Sequence, residues 1–151
     1  MQFYIRPAIL FVGRRLLSMP LTPHTRIKIA IADDHAIFKQ GIETVLQLSP
    51  DMDVIFKADN GADLLDLLKV NQPDVILLDL QMPVMDGFST LPELKKHYPN
   101  IMVIILTLNA ETSEVVKALQ MGANGYLLKT SDPTTIANKI RECLQVLRGI
   151  A

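Results

Sequence analysis

By type and spacing, Asp33, Asp34 and Asp79 are the residues of this chain best suited to chemistry. Asp33 and Asp34 close the run Ile27-Lys28-Ile29-Ala30-Ile31-Ala32, and Asp79 closes Val75-Ile76-Leu77-Leu78. In a parallel α/β sheet, ligands bind beyond the carboxyl ends of the strands, so three carboxylates placed there converge on one crevice. Crowded carboxylates repel one another unless a cation sits among them, and hard oxygen donors that leave room for water and phosphate suit Mg²⁺. Two more apolar runs bring complementary groups to the same edge: 102–106 leads to Thr107, and 126–128 leads to Lys129. A hydroxyl and an ammonium are the donors a phosphoryl group needs on its remaining oxygens. The expected product is a metal-dependent phosphoryl-acceptor site.

The elements that must position these groups follow from periodicity. After the first strand, Ile37, Phe38, Gly41, Ile42, Val45, Leu46 and Leu48 recur at helical spacing until Ser49-Pro50 breaks the pattern. Val54-Ile55-Phe56 reads as a second strand, and Gly61 opens a helix with Leu64, Leu65, Leu67 and Leu68 toward the sheet. Residues 75–79 form a buried third strand. The loop Leu80-Gln81-Met82-Pro83-Val84-Met85-Asp86-Gly87 carries strong turn chemistry, and Ser89 is the expected N-cap of the next helix, with Pro92 in its first turn. A fourth strand, a helix begun near Glu111 and Glu114 and stopped at Gly122, and a short fifth strand follow. Ser131 or Asp132 before Pro133 opens a last helix, with Ile136, Ile140, Cys143, Leu144 and Leu147 on one face. Alternating strands and helices predict a doubly wound five-stranded parallel sheet, flavodoxin-like, of order 2-1-3-4-5, with helices on both faces.

These residues, in this order and spacing, resemble the receiver domain of two-component response regulators (the CheY-like fold). The resemblance covers Ile27 to about Leu147. It rests on Asp33-Asp34, on Leu77-Leu78-Asp79-Leu80-Gln81-Met82-Pro83-Val84-Met85-Asp86-Gly87, on Thr107, and on Gly125-Tyr126-Leu127-Leu128-Lys129. Ala32-Asp33-Asp34-His35 and Gly122-Ala123-Asn124-Gly125 look most like receivers of LuxR/NarL/FixJ-type regulators, which precede a helix-turn-helix domain. The resemblance implies that Asp79 accepts the phosphoryl group from a histidine kinase or phosphotransfer protein. It also implies that Asp34, Asp79 and the backbone carbonyl of Gln81 bind Mg²⁺, with Asp33 acting through water. Lys129 and Thr107 would bind phosphoryl oxygens, and Tyr126 would follow Thr107 as a switch aromatic, although Tyr126 reads equally well as sheet-edge packing. Homodimerisation on phosphorylation is a further implication.

Departures from the family pattern are few. Lys129 is followed by Thr130, where many receivers have proline, and Leu108 after Thr107 is larger than the usual Ala or Gly and is expected to narrow access to the phosphoryl group. His24, His35 and His97 are scattered, which argues against a histidine metal site, and His35 is expected to solvate the start of the first helix.

A phosphorylation-controlled switch is thus expected, with no turnover of an external substrate. It is read as the regulatory domain of a transcriptional regulator whose DNA-binding domain is absent here, with a stand-alone receiver or phosphorelay protein as the alternative. An Mg²⁺-dependent phosphatase with an aspartyl nucleophile is the competing class, but it needs a second acid two residues after Asp79, where Gln81 stands. Dinucleotide binding fails because no Gly-x-Gly-x-x-Gly follows the first strand.

Composition narrows the partners. Residues 1–26 hold Arg6, Arg14, Arg15 and Arg26 and no acid, so the remaining 11 basic residues face all 16 acidic ones, a balance of −5 from Ile27 onward. An acidic domain lacks the basic face that nucleic acid requires. The apolar clusters 5–12 and 16–17 are interrupted by Arg14 and Arg15 and are too short for a membrane span; an interfacial amphipathic helix is the minor alternative. Residues 1–26 read as an extension with Met19 a candidate true start, 27–148 as the receiver, and 149–151 as a tail. The lone Cys143 excludes an internal disulfide and fits a reducing, cytoplasmic setting, as a small side chain packed on the last helix.

Overall fold

The five apolar runs pair as one parallel sheet because each alternates its side chains between two faces, and both faces find helices to cover them. In this computed structural model, residues 9–12, 15–18, 26–147 and 149 are described. In chain order, a hairpin β1 (Ile9–Val12) and β2 (Arg15–Ser18) comes first. Then follow β3 (Ile27–Ala32), α1 (Ala36–Gln47), β4 (Met52–Ala58), α2 (Gly61–Leu68), β5 (Val75–Asp79) and α3 (Gly87–His97). The chain ends with β6 (Met102–Thr107), α4 (Ser113–Gln120), β7 (Gly125–Leu128) and α5 (Pro133–Leu147). The order across the sheet is β4-β3-β5-β6-β7, which is 2-1-3-4-5 when the parallel strands are counted along the chain. The expected flavodoxin-like architecture is therefore the one observed.

The core divides by strand parity. Ile29, Ile31, Val75, Leu77, Ile104 and Leu106 face α1 and α5, where they meet Ile42, Leu46, Ile136, Ile140 and Leu144. Ala30, Ala32, Ile76, Leu78, Val103 and Ile105 face the other way, against Leu64 and Leu68 of α2, Leu91 and Leu94 of α3, and Ala118 of α4. Each fully buried aliphatic side chain contributes about 1.5–3 kcal/mol of burial. A one-residue slip of any strand would exchange its two sets, so the register that carries the terminal acids is held by both layers at once.

Local signals place most boundaries, and several expectations need correction. The N-cap of α3 is Asp86, whose carboxylate accepts from Ser89 N–H at 2.8 Å; Ser89 lies inside the helix. A carboxylate is the better acceptor for an orphan amide, and its charge suits the helix N-terminus. Pro92 consequently falls in the second turn. Asn60 caps α2 and Thr112 caps α4. Asp132, not Ser131, accepts from Thr135 N–H at 3.0 Å at the start of α5. Leu67, expected toward the sheet, is exposed because it sits about a quarter-turn off the buried stripe of α2, and Leu147, on the apolar face of α5, is exposed as the last residue of that helix. Cys143 is half-buried against the α1–α5 core, and burial pushes its thiol up.

The described parts of the N-terminal extension form an antiparallel hairpin rather than a helix, pairing Ile9 with Ser18 and Val12 with Arg15, and they add no strand to the five-stranded sheet. Met19 lies outside the described residues. A chain beginning at Met19 is accordingly expected to melt within about 2 °C of the full chain, since the hairpin supplies no strand to the five-stranded sheet and changes outside the core shift stability by under about 0.5 kcal/mol. Differential scanning calorimetry of the two chains checks this. Among the described residues, no helix is long and apolar enough to cross a membrane.

Candidate functional site

Three strand ends build the site. β3 runs out into Asp33 and Asp34, β5 ends on Asp79, and β7 is followed by Lys129. Since β3 and β5 are hydrogen-bonded neighbours, Asp33 and Asp79 arrive side by side. Lys129 comes from the sheet edge, its backbone N–H bonded to Thr107 O at 2.7 Å. Its long side chain then reaches back across the end of β6.

The ammonium of Lys129 lies 2.7 Å from Asp33 Oδ2 and 3.0 Å from Asp79 Oδ2. Its Nζ stands over the Phe38 ring, 4.9 Å from the centroid, and the side chain is only 7% exposed. Asp33 is wholly buried; its Oδ1 accepts from the His35 backbone N–H at 2.9 Å and meets His35 Nδ1 at 2.8 Å. Asp33 Oδ2 has Lys129 as an ion-pair neighbour but no hydrogen bond of good geometry. Asp79 Oδ1 accepts from Gln81 N–H at 3.1 Å. Asp34 is half-exposed, with Oδ1 3.5 Å from His35 Nδ1.

Electrostatics separate the two buried acids. Burial works against charge on Asp33, yet the Lys129 ammonium and the His35 contacts outweigh it and hold this carboxyl below its usual range. Burial pushes the Asp79 carboxyl up, with the charge of Asp33 adding to the rise and Gln81 N–H and Lys129 only partly offsetting it. Burial also opposes the charge on Lys129, but Asp33 and Asp79 together hold the ammonium above its ordinary value. Asp79 is thus the strained member of the trio, and a further positive charge beside it would relieve the strain. The donors fit such a cation: carboxylate oxygens on Asp33, Asp34 and Asp79 and the ring nitrogen of His35 all lie within 4.8 Å of one another. Such a donor set suits a divalent ion.

The loop after β5 is held from two sides. Gly87 N–H bonds Leu80 O at 3.0 Å, and Gly61 N–H at the start of α2 bonds Met85 O at 2.9 Å. Within it, Val84 adopts φ 66°, a left-handed conformation that a β-branched residue takes only under constraint. Val84 is exposed, so its side chain contributes no burial to offset the strain. Val84→Gly is expected to stabilise the fold by about 0.5–1 kcal/mol, the relief of left-handed strain less the entropy a glycine loses, read as a raised melting temperature.

The other expected residues are placed differently. Thr107 donates its hydroxyl to Asn109 O at 3.0 Å and accepts from Asn109 N–H at 3.2 Å, so it is engaged in its own loop rather than with the acids. Tyr126 is half-exposed, with Lys139 Nζ 6.0 Å from its ring centroid. Gln81 lines a cavity of about 480 Å³ beside the acids, together with Asp34, His35, Met82, Asp86 and Glu114. Leu108, expected to narrow the approach, is 71% exposed and is not among the residues lining that cavity. His35 corrects the reading that it solvates the helix start: it stands at the N-cap of α1 with no side-chain capping bond, and its ring turns into the carboxylates. Only its adjacency to Asp33-Asp34 signalled this. Phe38 beneath Lys129 was missed for the same reason as any contact between distant elements.

Comparison with known proteins agrees with this geometry. The profile of the response regulator receiver domain matches residues 29–141. The nitrate/nitrite response regulator protein NarP of Escherichia coli is 39% identical over 117 residues, covering 78% of this chain and 54% of that protein. The probable transcriptional regulatory protein NarL of Mycobacterium tuberculosis is 36% identical over 118 residues, covering 78% and 55%. The solved signal receiver domain of the latter superposes with a TM-score of 0.73, covering 78% of this chain and 95% of that one. The chain spans about half the length of the curated relatives it matches. It therefore belongs to the response regulator receiver domain family, in the LuxR/NarL-type branch of two-component regulators.

Proposed function

We propose that this domain is a phosphorylation-operated switch in which Asp79 takes a phosphoryl group from a histidine kinase or phosphotransfer protein. The observation that carries the reading is the buried Asp79 carboxylate with Lys129 Nζ at 3.0 Å, flanked by Asp33 and Asp34. A carboxylate oxygen of Asp79 forms the new O–P bond as the P–N bond of a phosphohistidine donor breaks, and the leaving imidazole keeps the electron pair. Lys129 is already positioned to neutralise charge on the incoming phosphoryl oxygens. Asp34 and Asp79, with the backbone carbonyl of Gln81, would hold Mg²⁺, and Asp33 would act through water. When bound, the ion lowers the repulsion between the acids and the incoming anion.

The acyl phosphate is bulkier and more anionic than the carboxylate it replaces, and it would compete for the Thr107 hydroxyl now held by Asn109. Drawing Thr107 inward would move the loop after β6, with half-exposed Tyr126 beside it as the follower. The names of the relatives support transcriptional regulation as the output, with DNA binding in a separate domain and homodimerisation as the consequence of phosphorylation. A cytoplasmic location fits kinase partners of this kind. Gln81 offers no acid two residues after Asp79, which disfavours a hydrolase turning over external phosphate esters.

Incubation with acetyl phosphate and Mg²⁺ followed by intact-mass measurement tests the reading. One phosphoryl group on Asp79, and no turnover of a generic phosphate ester, is the expected result. Mg²⁺ is also expected to raise the melting temperature, by about 2.7 kcal/mol of stability at about 100 times its dissociation constant. Asp34→Ala should remove that shift, and Asp33→Ala, whose Oδ1 is already taken up by His35, should reduce it less. Equal shifts in wild type and Asp34→Ala would count against the site.

A further inference from the structure

The ring of His35 is in a conflicted position. Its Nδ1 lies 2.8 Å from Asp33 Oδ1, a contact that needs a proton on Nδ1, and 3.1 Å from Lys129 Nζ, a contact that needs a lone pair there. No tautomer satisfies both. The same nitrogen stands 3.5 Å from Asp34 Oδ1 and 3.7 Å from Asp79 Oδ2. Donors bound at about 2.1 Å to one ion lie about 3.0 Å apart along an octahedral edge and about 3.4 Å apart along a tetrahedral one. The spacings from Nδ1 to Asp34 and Asp79, the carboxylates that would ligate directly, are slightly longer than those values, and a cation in their midst would draw the three groups together and turn the conflict into coordination by drawing on the Nδ1 lone pair. The buried Asp33 Oδ2 is paired with Lys129 at 2.7 Å but lacks a hydrogen bond of good geometry, so the acid cluster is charge-paired without being fully hydrogen-bonded.

Building on the functional reading of this same site, we infer that His35 is a fourth ligand, one that sets metal selectivity. It adds an imidazole nitrogen to an otherwise all-oxygen set and so admits borderline divalent ions such as Co²⁺ or Zn²⁺ beside Mg²⁺. Mg²⁺ prefers oxygen and gains little from imidazole, whereas the borderline ions bind it well. The ring reaches the acids because Asp33 Oδ1 accepts the His35 backbone N–H, which folds the residue back over the end of β3. It remains 60% exposed on its outer side, so an ion can enter past it and its removal leaves the core intact.

The test is a calorimetric titration of the full chain with Co²⁺ and with Mg²⁺ separately, in wild type and His35→Ala, with folding checked by circular dichroism. His35→Ala is expected to lower Co²⁺ affinity about tenfold or more and Mg²⁺ affinity by less than about twofold. The visible absorption of the Co²⁺ complex should change accordingly as a nitrogen donor is lost. His97→Ala serves as the control for surface binding, because His97 lies 3.3 Å from Glu93. If His97→Ala rather than His35→Ala carries the loss of Co²⁺ affinity, the inference is overturned. It is equally overturned if His35→Ala weakens both ions alike or neither. Failure of Asp79 to take up phosphate with Mg²⁺, alongside His35-dependent Co²⁺ binding, would sink the functional reading and leave this one standing.

Discussion

Asp79→Asn is expected to abolish phosphoryl uptake and, at neutral pH, to make the fold more stable. The amide keeps the shape and can still accept from Gln81 N–H, but it has no nucleophilic carboxylate for phosphorus. The gain in stability follows from the direction of the Asp79 shift. Burial and the neighbouring charge of Asp33 raise this carboxyl in the folded state, so the folded protein binds the proton more tightly than the unfolded chain does. Stability therefore falls as pH rises from the usual carboxylate range through the raised value, and above it the full cost is present. Asn removes that cost, and the benefit should fade as pH is lowered through the same window. Asp33 has the opposite sign, its contribution being present at neutral pH and lost on acidification. Intact-mass measurement after acetyl phosphate treatment and melting curves at several pH values check both parts. A phosphoryl group still acquired by the Asn variant would exclude Asp79 as the acceptor.

Gly87→Ala is expected to cost about 3 kcal/mol and to slow phosphoryl uptake about 100-fold in whatever fraction folds. A Cβ at Gly87 would overlap the carbonyl oxygen of Asp79 and fall 2.7 Å from the Cα of Leu80, both backbone atoms that no rotamer change can move aside. Either α3 backs away from the strand, breaking the Gly87 N–H bond to Leu80 O, or β5 shifts and takes the acceptor with it. A displacement of about 1 Å at a reacting group costs about 100-fold in rate. Urea denaturation gives the first quantity and the single-turnover rate from acetyl phosphate gives the second. The companion Gly41→Ala should be harmless, because nothing lies within 4 Å of a Cβ there.

The parallel sheet and the carboxylates at its mouth were legible because short, strongly apolar runs such as Ile76-Leu77-Leu78 alternate with helical patterns, and right-handed crossovers between such strands leave few orders. The runs lie in the middle of a sheet with helices on both sides, and polar residues can then appear only where a strand stops. Family likeness added roles to those residues, and the structure brings Asp33, Asp79 and Lys129 together.

What composition and spacing could not reach were contacts set by rotamer choice and by elements far apart in the chain. Thr107 stands where the pattern puts it, yet its hydroxyl turns to Asn109, a choice between a local loop bond and a distant acid that no spacing encodes. Arg141 of α5 clasps Asp51 with two bonds of 2.7 and 2.8 Å across 90 residues, and this holds the Asp51 carboxyl down; neither partner carries a local sign of it. The same is true of Val84 at φ 66°, imposed by closure of the β5–α3 loop, and of His35 turning back into the acids. By itself the sequence determined the architecture and the residues present at its functional edge, because burial of apolar strands is a one-dimensional pattern. Only the tertiary structure decided which atoms face one another there, because hydrogen bonds and charges act over about 3 Å and depend on a backbone path that many residues set together.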